Sequence, residues 1–128
     1  MENADGRIFG RTAGAAVLAC RLVVPSGSTV VHTTAITQRP AGICVVSAAD
    51  TAQTSVLADG YAYLDCDGSG TAIVADVTRL MPKAGGAGFA VAAAGATAVP
   101  CAIARESTTS ATGRILVQLT PGLPALGT

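Results

Sequence analysis

The stretch Gly113-Arg-Ile-Leu-Val-Gln-Leu119 sets the fold class, because apolar side chains recur along it at every second position. A period of two predicts a half-buried β-strand. Tyr61-Ala-Tyr-Leu64 alternates in the same way. Elsewhere, short apolar runs are broken by Gly, Pro, Ser and Asp clusters at intervals of roughly ten residues, which is typical of a β-sandwich or barrel. We therefore predict an all-β fold: a small single-domain β-sandwich or barrel with at most short helical turns.

The predicted strands are the apolar runs between these breaks. They cover Ala15–Val24, Thr29–Thr34, Gly42–Ser47, Gln53–Leu57, Tyr61–Asp65, Thr71–Ala75, Gly88–Ala94, Cys101–Arg105 and Gly113–Leu119. Alanine favours helix by intrinsic propensity, but the apolar runs are short and rich in Val, Thr and Gly. Only Ser47–Gln53 and Glu106–Ala111 remain as candidates for a helical turn.

The chain also repeats itself loosely, at an offset close to sixty residues. Arg21-Leu-Val-Val-Pro25 is echoed by Arg79-Leu-Met-Pro82, and Pro40-Ala-Gly-Ile-Cys44 is echoed by Pro100-Cys-Ala-Ile-Ala104. Two units indicate an internal duplication, whereas a solenoid needs at least three. The sequence therefore predicts one domain built from two pseudo-repeated halves.

The predicted domain covers residues 13–120, with pseudo-repeats at about 15–65 and 73–120. Residues 1–12 are predicted to form a flexible N-terminal arm, and residues 121–128 a C-terminal tail. The tail contains two prolines and no strand pattern. Such termini are mobile unless a partner holds them.

Composition excludes several classes of protein. Hydrophobic residues make up 50% of the 128 residues and charged residues 12%, and the eight basic and eight acidic side chains cancel. A nucleic-acid-binding domain would concentrate Lys and Arg, and a disordered chain would be poor in apolar residues. The apolar residues are mostly Ala and Val, which bury little area. We expect a thin core, and therefore an oligomer or a subunit stabilised by a larger assembly.

Two segments imitate membrane or export signals. Ala15-Ala-Val-Leu-Ala-Cys20 resembles a lipoprotein cleavage box, but Glu2 and Asp5 precede it and Gly14 breaks a short apolar stretch. Ala84–Ala104 is uncharged, yet it is mostly Ala and Gly, which insert weakly into a bilayer. We predict neither lipidation nor a membrane span.

The four cysteines give no metal motif. Cys20, Cys44, Cys66 and Cys101 are more than twenty residues apart, and no pair has the close spacing of zinc ligands. Each lies in an apolar run, which favours buried free thiols, with disulfides as the alternative. Free thiols fit synthesis in the cytoplasm.

His32 is the one histidine, and nothing around it forms a known catalytic motif. We interpret it as a structural residue on a strand or turn. A Cys–His or Ser–His catalytic pair is the alternative. Gly85-Gly-Ala-Gly88 lacks the helix that a phosphate cradle requires, so we interpret it as a flexible turn.

The segment Asp65-Cys-Asp67-Gly-Ser69-Gly70 has two interpretations. Asp65, Asp67 and Asp76 fall near the oxygen-ligand spacing of a calcium loop. However, Ser69 replaces an acid, Asp76 replaces the usual Glu, and neither flank reads as helix. We favour a β-hairpin turn, in which Gly supplies positive φ, over a calcium site.

The sequence from residue 12 to residue 122 resembles those of the small capsid cement, or head decoration, proteins of tailed bacteriophages. The likeness rests on Thr12-Ala-Gly-Ala-Ala-Val-Leu-Ala-Cys-Arg-Leu-Val-Val-Pro25, on Arg39-Pro-Ala-Gly-Ile-Cys-Val-Val-Ser-Ala-Ala-Asp50, and on Val99-Pro-Cys-Ala-Ile-Ala-Arg-Glu106. The last of these leads into Gly113-Arg-Ile-Leu-Val-Gln-Leu-Thr-Pro-Gly122. This sequence has fewer acids and lysines than the family, and its four cysteines are unusual there.

The resemblance implies a compact β domain, often a homotrimer, that binds the major capsid protein on the outer surface of the virion. It would be made in the cytoplasm of the bacterial host. It implies no catalytic residue, no metal or other cofactor, and no nucleic-acid, membrane or small-molecule partner. We hypothesise that Met1–Thr12 and the exposed strand edges carry much of the capsid contact.

Two other functions stay open at this level. One is a small β module that binds a sugar or peptide, with calcium at Asp65, Asp67 and Asp76, although two Tyr and no Trp make a poor aromatic platform. The other is an enzyme that uses a Cys and His32, which would require an unusually reactive thiol.

Overall fold

The computed structural model describes residues 5–36, 38–94 and 100–120. Within these residues the chain forms nine strands and no helix. The strands are β1 (Asp5–Ala13), β2 (Leu22–Ser26), β3 (Thr29–His32), β4 (Gly42–Cys44), β5 (Gln53–Cys66), β6 (Arg79–Pro82), β7 (Ala90–Ala92), β8 (Ala102–Ala104) and β9 (Gly113–Leu119). The prediction of an all-β fold is therefore confirmed.

All nine strands belong to one sheet, in the order β1-β3-β2-β4-β5-β7-β6-β8-β9. Two further pairings, β1 with β5 and β5 with β9, close this sheet on itself. The result is two rings of five strands that share β5. Each strand thereby has neighbours on two sides, which limits the free sheet edge that the fold exposes.

The pairings of the two rings correspond strand by strand. In the first ring β1 runs antiparallel to β5 and parallel to β3, while β2 pairs with β3 and β4. In the second ring β5 runs antiparallel to β9 and parallel to β7, while β6 pairs with β7 and β8. We call β1 to the first part of β5 the first half, and the rest of β5 to β9 the second half. We propose that the halves are two copies of one unit.

The beginning of the chain differs from the sequence prediction. Residues 5–12, assigned to a flexible arm, lie in β1, which pairs with β5 from Asp5 to Thr12. The charged residues and glycines of this segment obscured the apolar pattern by which a strand is recognised in a sequence. A variant that begins at Ala13 would therefore lack nearly all of β1. Residues 1–4, and the predicted tail at 121–128, lie outside the described residues.

Several other predicted elements also need correction. Ala15–Val24 and Thr71–Ala75 are mostly loops, in which Val17 and Ile73 form single bridges to Ala48 and Thr108. These bridges occupy the segments predicted as helical turns, which are not helical. The two strands predicted on either side of Gly60 are one continuous strand, because Gly60 pairs with Gly6 on one side and Leu119 on the other.

The core consists of aliphatic side chains of modest size, as the composition suggested. A larger cluster includes Leu22, Leu57, Leu64 and Leu80, and a smaller one is formed mainly by valines of the first half. Alanines complete the larger cluster where strands approach closely, at Ala62, Ala90, Ala102 and Ala104.

We expect Gly42→Ala to destabilise the fold by about 2–3 kcal/mol, since overpacking of this kind costs roughly 1–3 kcal/mol. A Cβ at Gly42 would collide with the backbone carbonyl of Leu57 on the paired strand β5, which cannot move without breaking the sheet. Gly10→Ala in β1 is the matched control, because a Cβ there meets nothing within 4 Å. Urea unfolding measures both variants. Equal stability of the two would contradict the close approach of β4 and β5.

Candidate interaction surface

In the first half, the loop after β1 is fastened to the loop after β4. Val17 and Ala48 exchange two backbone hydrogen bonds of 2.9 Å, and the Ala19 N–H donates to Ser47 Oγ at 2.8 Å. Val17 is buried in the core. The two loops therefore form one ordered surface unit instead of two independent mobile segments.

The second half repeats this arrangement at equivalent positions. Ile73 and Thr108 exchange two backbone bonds of 3.0 Å, and the Ala75 N–H donates to Ser107 Oγ at 2.9 Å. Ile73 is buried as Val17 is. Both loop pairs are thus built in the same way. A buried apolar residue anchors one loop, and the N–H two positions later donates to a serine that lies three residues after the end of β4 or β8.

These fastened loops carry most of the exposed large hydrophobic side chains. Leu18 is 48% exposed and Val46 41% in the first half, and Val74 is 46% exposed and Val77 73% in the second. Among the described residues, only Ile36 and Tyr61 join them in that class. We call Leu18, Val46, Val74 and Val77 the aliphatic loop surface. Leu18 and Val74 occupy equivalent positions, each directly after the buried anchor.

Different side chains hold these two residues. The Leu18 N–H donates to His32 Nε2 at 3.0 Å, whereas the Val74 N–H donates to Thr78 Oγ1 at 2.9 Å. Burial, helped by the nearby Arg21 guanidinium, lowers the pKa of His32 below its ordinary value. His32 is thus a structural acceptor on β3, and the described contacts give it no nucleophile to activate.

A buried ionic cluster lies where the two halves meet. Asp65, in the second part of β5, accepts from Arg21 Nε at 2.6 Å and from Arg114 Nε at 2.7 Å. The Asp65 side chain is 7% exposed and that of Arg21 17%, while Arg114 on β9 is 57% exposed. The paired carboxylate raises the pKa of Arg114 further above its ordinary value.

Arg21 reaches into the second half at two more points. Its guanidinium lies 4.3 Å from the centre of the Phe89 ring and its Nη1 donates to the Ala87 carbonyl at 3.1 Å. The adjacent backbone follows, because the Leu22 N–H donates to the Gly88 carbonyl and the Asp65 N–H donates to the Cys20 carbonyl. The loop Gly85–Gly88, which the sequence predicted to be a flexible turn, is therefore held to the first half by hydrogen bonds.

The three aspartates considered as calcium ligands each form ion pairs with different basic side chains. Asp65 holds Arg21 and Arg114, Asp67 lies 2.8 Å from Lys83 Nζ, and Asp76 lies 2.7 Å from Arg105 Nη1. Hydrogen bonds from Lys83 and Ser69 hold the pKa of Asp67 far below its ordinary value. The part of the chain that the structure describes contains no cluster of metal-ligating side chains. The described structure therefore does not bring Asp65, Asp67 and Asp76 together as one set of ligands.

The favoured interpretation of this segment, a β-hairpin turn, needs correction. Asp67 does build a turn, accepting from the Ser69 N–H at 2.9 Å. The segment after it does not return along β5, however, because Ile73 bonds to Thr108. The turn leads into the second fastened loop.

All four cysteines are free thiols. Burial raises the pKa of Cys101 to about 12 and raises that of Cys66 further. Cys44 is also buried, and its thiol contacts Thr54 Oγ1 and the Val46 carbonyl. Cys20 is partly exposed, and desolvation raises its pKa as well. No described thiol has the depressed pKa of a nucleophile.

Sequence reasoning found neither the aliphatic loop surface nor the ionic cluster. A signal for the first was present, because Leu18 and Val74 occur at similar points of the repeat. Arg21, Asp65 and Arg114 are far apart in sequence and meet only through the ring closure. The uncharged segment Ala84–Ala104 contains all of β7 and β8, and no helix among the described residues is long and apolar enough to cross a membrane.

The fold has a counterpart of known structure. The chain is similar to the head fiber gp8.5 N base of bacteriophage phi29, with a TM-score of 0.66 and 19% sequence identity. The match covers 89% of this chain and 93% of that chain. No protein-family model matches the sequence, and no curated protein matches it significantly. At the level of fold, the likeness agrees with the resemblance to head decoration proteins seen in the sequence.

We expect Asp65→Asn to cost about 3 kcal/mol of unfolding free energy, because it leaves the Arg21 guanidinium largely buried without its counter-charge. Asp59→Asn is the matched control on the same strand. Asp59 pairs with Arg7 at 3.0 Å in an exposed position, where loss of an ion pair costs at most about 1 kcal/mol. Chemical unfolding of both variants measures the difference, and a small cost for Asp65→Asn would show that the cluster does not join the halves.

We expect thiol reagents at pH 8 to modify native protein slowly and only at Cys20. The raised pKa values of the buried thiols keep them protonated there, and reactivity should rise with pH as thiolate forms. Cys20→Ser should remove the native reaction and leave three thiols that react only in denaturant. Reaction of Cys66 or Cys101 at the rate of a free thiol would contradict this assignment and revive the enzyme hypothesis.

Proposed function

We propose that this chain is a structural, non-enzymatic decoration protein of a tailed-phage head. It binds the major capsid protein on the outer surface of the virion and adds contact area between capsid subunits. The observation that supports this most strongly is the fold shared with a phage head fiber base over nearly the whole of both chains. The sequence resemblance to head decoration proteins points to the same role independently.

The aliphatic loop surface is the proposed capsid contact. Exposed aliphatic side chains mark interaction sites when they are concentrated in one kind of place, and four of the six described here lie on the fastened loops. Because each loop pair is held by backbone and serine hydrogen bonds, little conformational entropy is lost on binding. The chain thus presents two similar, preformed apolar contacts.

The repeated contacts suit a partner that is itself repeated. A shell of identical subunits offers the same binding site many times, and one chain with two linked contacts gains affinity when both engage. The same argument supports the homotrimer implied by the family resemblance, since three chains would present six contacts. Synthesis in the host cytoplasm and assembly onto the finished head complete the proposal.

We expect purified protein to co-sediment saturably with undecorated capsids of its phage, and Val77→Asp to weaken this binding at least tenfold. Val77 is 73% exposed, so a carboxylate there leaves the fold intact but cannot be buried at an apolar interface without a large cost. Ile36→Asp is the matched control, because Ile36 is an exposed aliphatic residue outside the fastened loops. Loss of binding by both variants would contradict the assigned surface, and no binding by the folded natural protein would contradict the function.

A further inference from the structure

The bond between Leu18 and His32 can exist in only one protonation state. An imidazole nitrogen accepts a hydrogen bond only when it carries no proton. Since His32 Nε2 accepts from the Leu18 N–H at 3.0 Å, the ring is neutral and its proton lies on Nδ1. A second proton would place two N–H groups against each other and break the bond.

The second half provides an internal comparison. There the equivalent N–H of Val74 donates to the hydroxyl of Thr78 at 2.9 Å. A threonine hydroxyl does not titrate between pH 5 and 8, whereas histidine does. Two loops of similar construction therefore differ in a single chemical respect, the acceptor that holds the residue after the anchor.

Among the described residues, burial and Arg21 both disfavour an imidazolium at His32. Arg21, which directly precedes the neighbouring strand β2, is positively charged, and its field opposes protonation. The loop before β7 places Gly88 beside the ring, and its charged residue, Lys83, is paired with Asp67. In the loop after β1, burial raises the pKa of the Cys20 thiol, which keeps that group neutral. The carboxylate that pairs with Arg21, that of Asp65, is already shared by two arginines.

We propose that His32 is an acid-sensitive latch, which releases the Leu18 loop on protonation while the Val74 loop stays in place. In terms of the proposed function, on which this meaning rests, acid weakens one of the two capsid contacts and spares the other. Because the pKa of His32 is lowered in the folded protein, the stability that the latch provides is complete above about pH 6.5. It is lost as the pH falls from there through the folded pKa.

Amide hydrogen exchange of the free protein, followed by NMR from pH 8 to 5, tests the latch without any capsid. One pH unit below the folded pKa, the neutral imidazole is about a tenth of the total. The protection factor of the Leu18 amide should therefore fall about tenfold over the His32 titration, while that of Val74 stays constant. Equal behaviour of the two amides, or an unchanged Leu18 amide while the His32 ring titrates, would overturn the proposal.

His32→Gln is the second variant, since its side-chain oxygen can accept from the Leu18 N–H without titrating. Its Leu18 protection should be independent of pH over the same range. If that variant fails to fold, the comparison of Leu18 with Val74 in the natural protein still decides the question. Failure of capsid binding at neutral pH would contradict the proposed function but not the latch, so the two ideas fail separately.

Discussion

The structure depends on one buried carboxylate. Asp65 lies between Arg21 of the first half and Arg114 of the second, at 2.6 and 2.7 Å. Removing a carboxylate from water is costly unless it is paired and hydrogen bonded, so Asp65 requires both arginines to be in place. Once they are, Arg21 also contacts Phe89 and the Ala87 carbonyl. The pairing therefore fixes how the two halves join, beyond the strand that they share.

At the equivalent position of the first half the bond is neutral, from Gln53 Nε2 to Thr12 Oγ1 at 2.9 Å. In the second half this position is ionic, and Asp65 there also binds Arg21 of the first half.

Closure of the sheet helps to explain how a core of small and medium-sized aliphatic side chains suffices. Small side chains bury little area each, but closing the sheet into two rings lets strands cover one another from both sides. The exposed surface then contains few large hydrophobic residues, and those are concentrated on loops fixed by hydrogen bonds. A thin core and a rigid, weakly apolar surface suit a subunit that gains stability from the assembly it joins.

The sequence predicted some of these features and could not predict others. Period-two alternation identified β9 to the residue, and the echoes around Arg21 and Arg79 located strands that pair in the same way in each half. The sequence suggested a break between two strands near Asp59 and Gly60. β5 continues through it because Gly60 pairs with both β1 and β9, which no local pattern reveals. β1 was missed because arginines and glycines dominate it and its apolar face depends on β5. The ionic cluster lies beyond local patterns altogether, since its three residues meet only through ring closure.

The central claim is that this fold, with its two fastened loops, serves as a clamp on a repeated shell. Electron cryomicroscopy of capsids incubated with the purified chain tests it most directly. We expect ordered density on the outer surface, with Leu18 and Val77 facing capsid subunits. Density with the fastened loops turned to solvent, or no ordered density on shells at saturating protein, would contradict it.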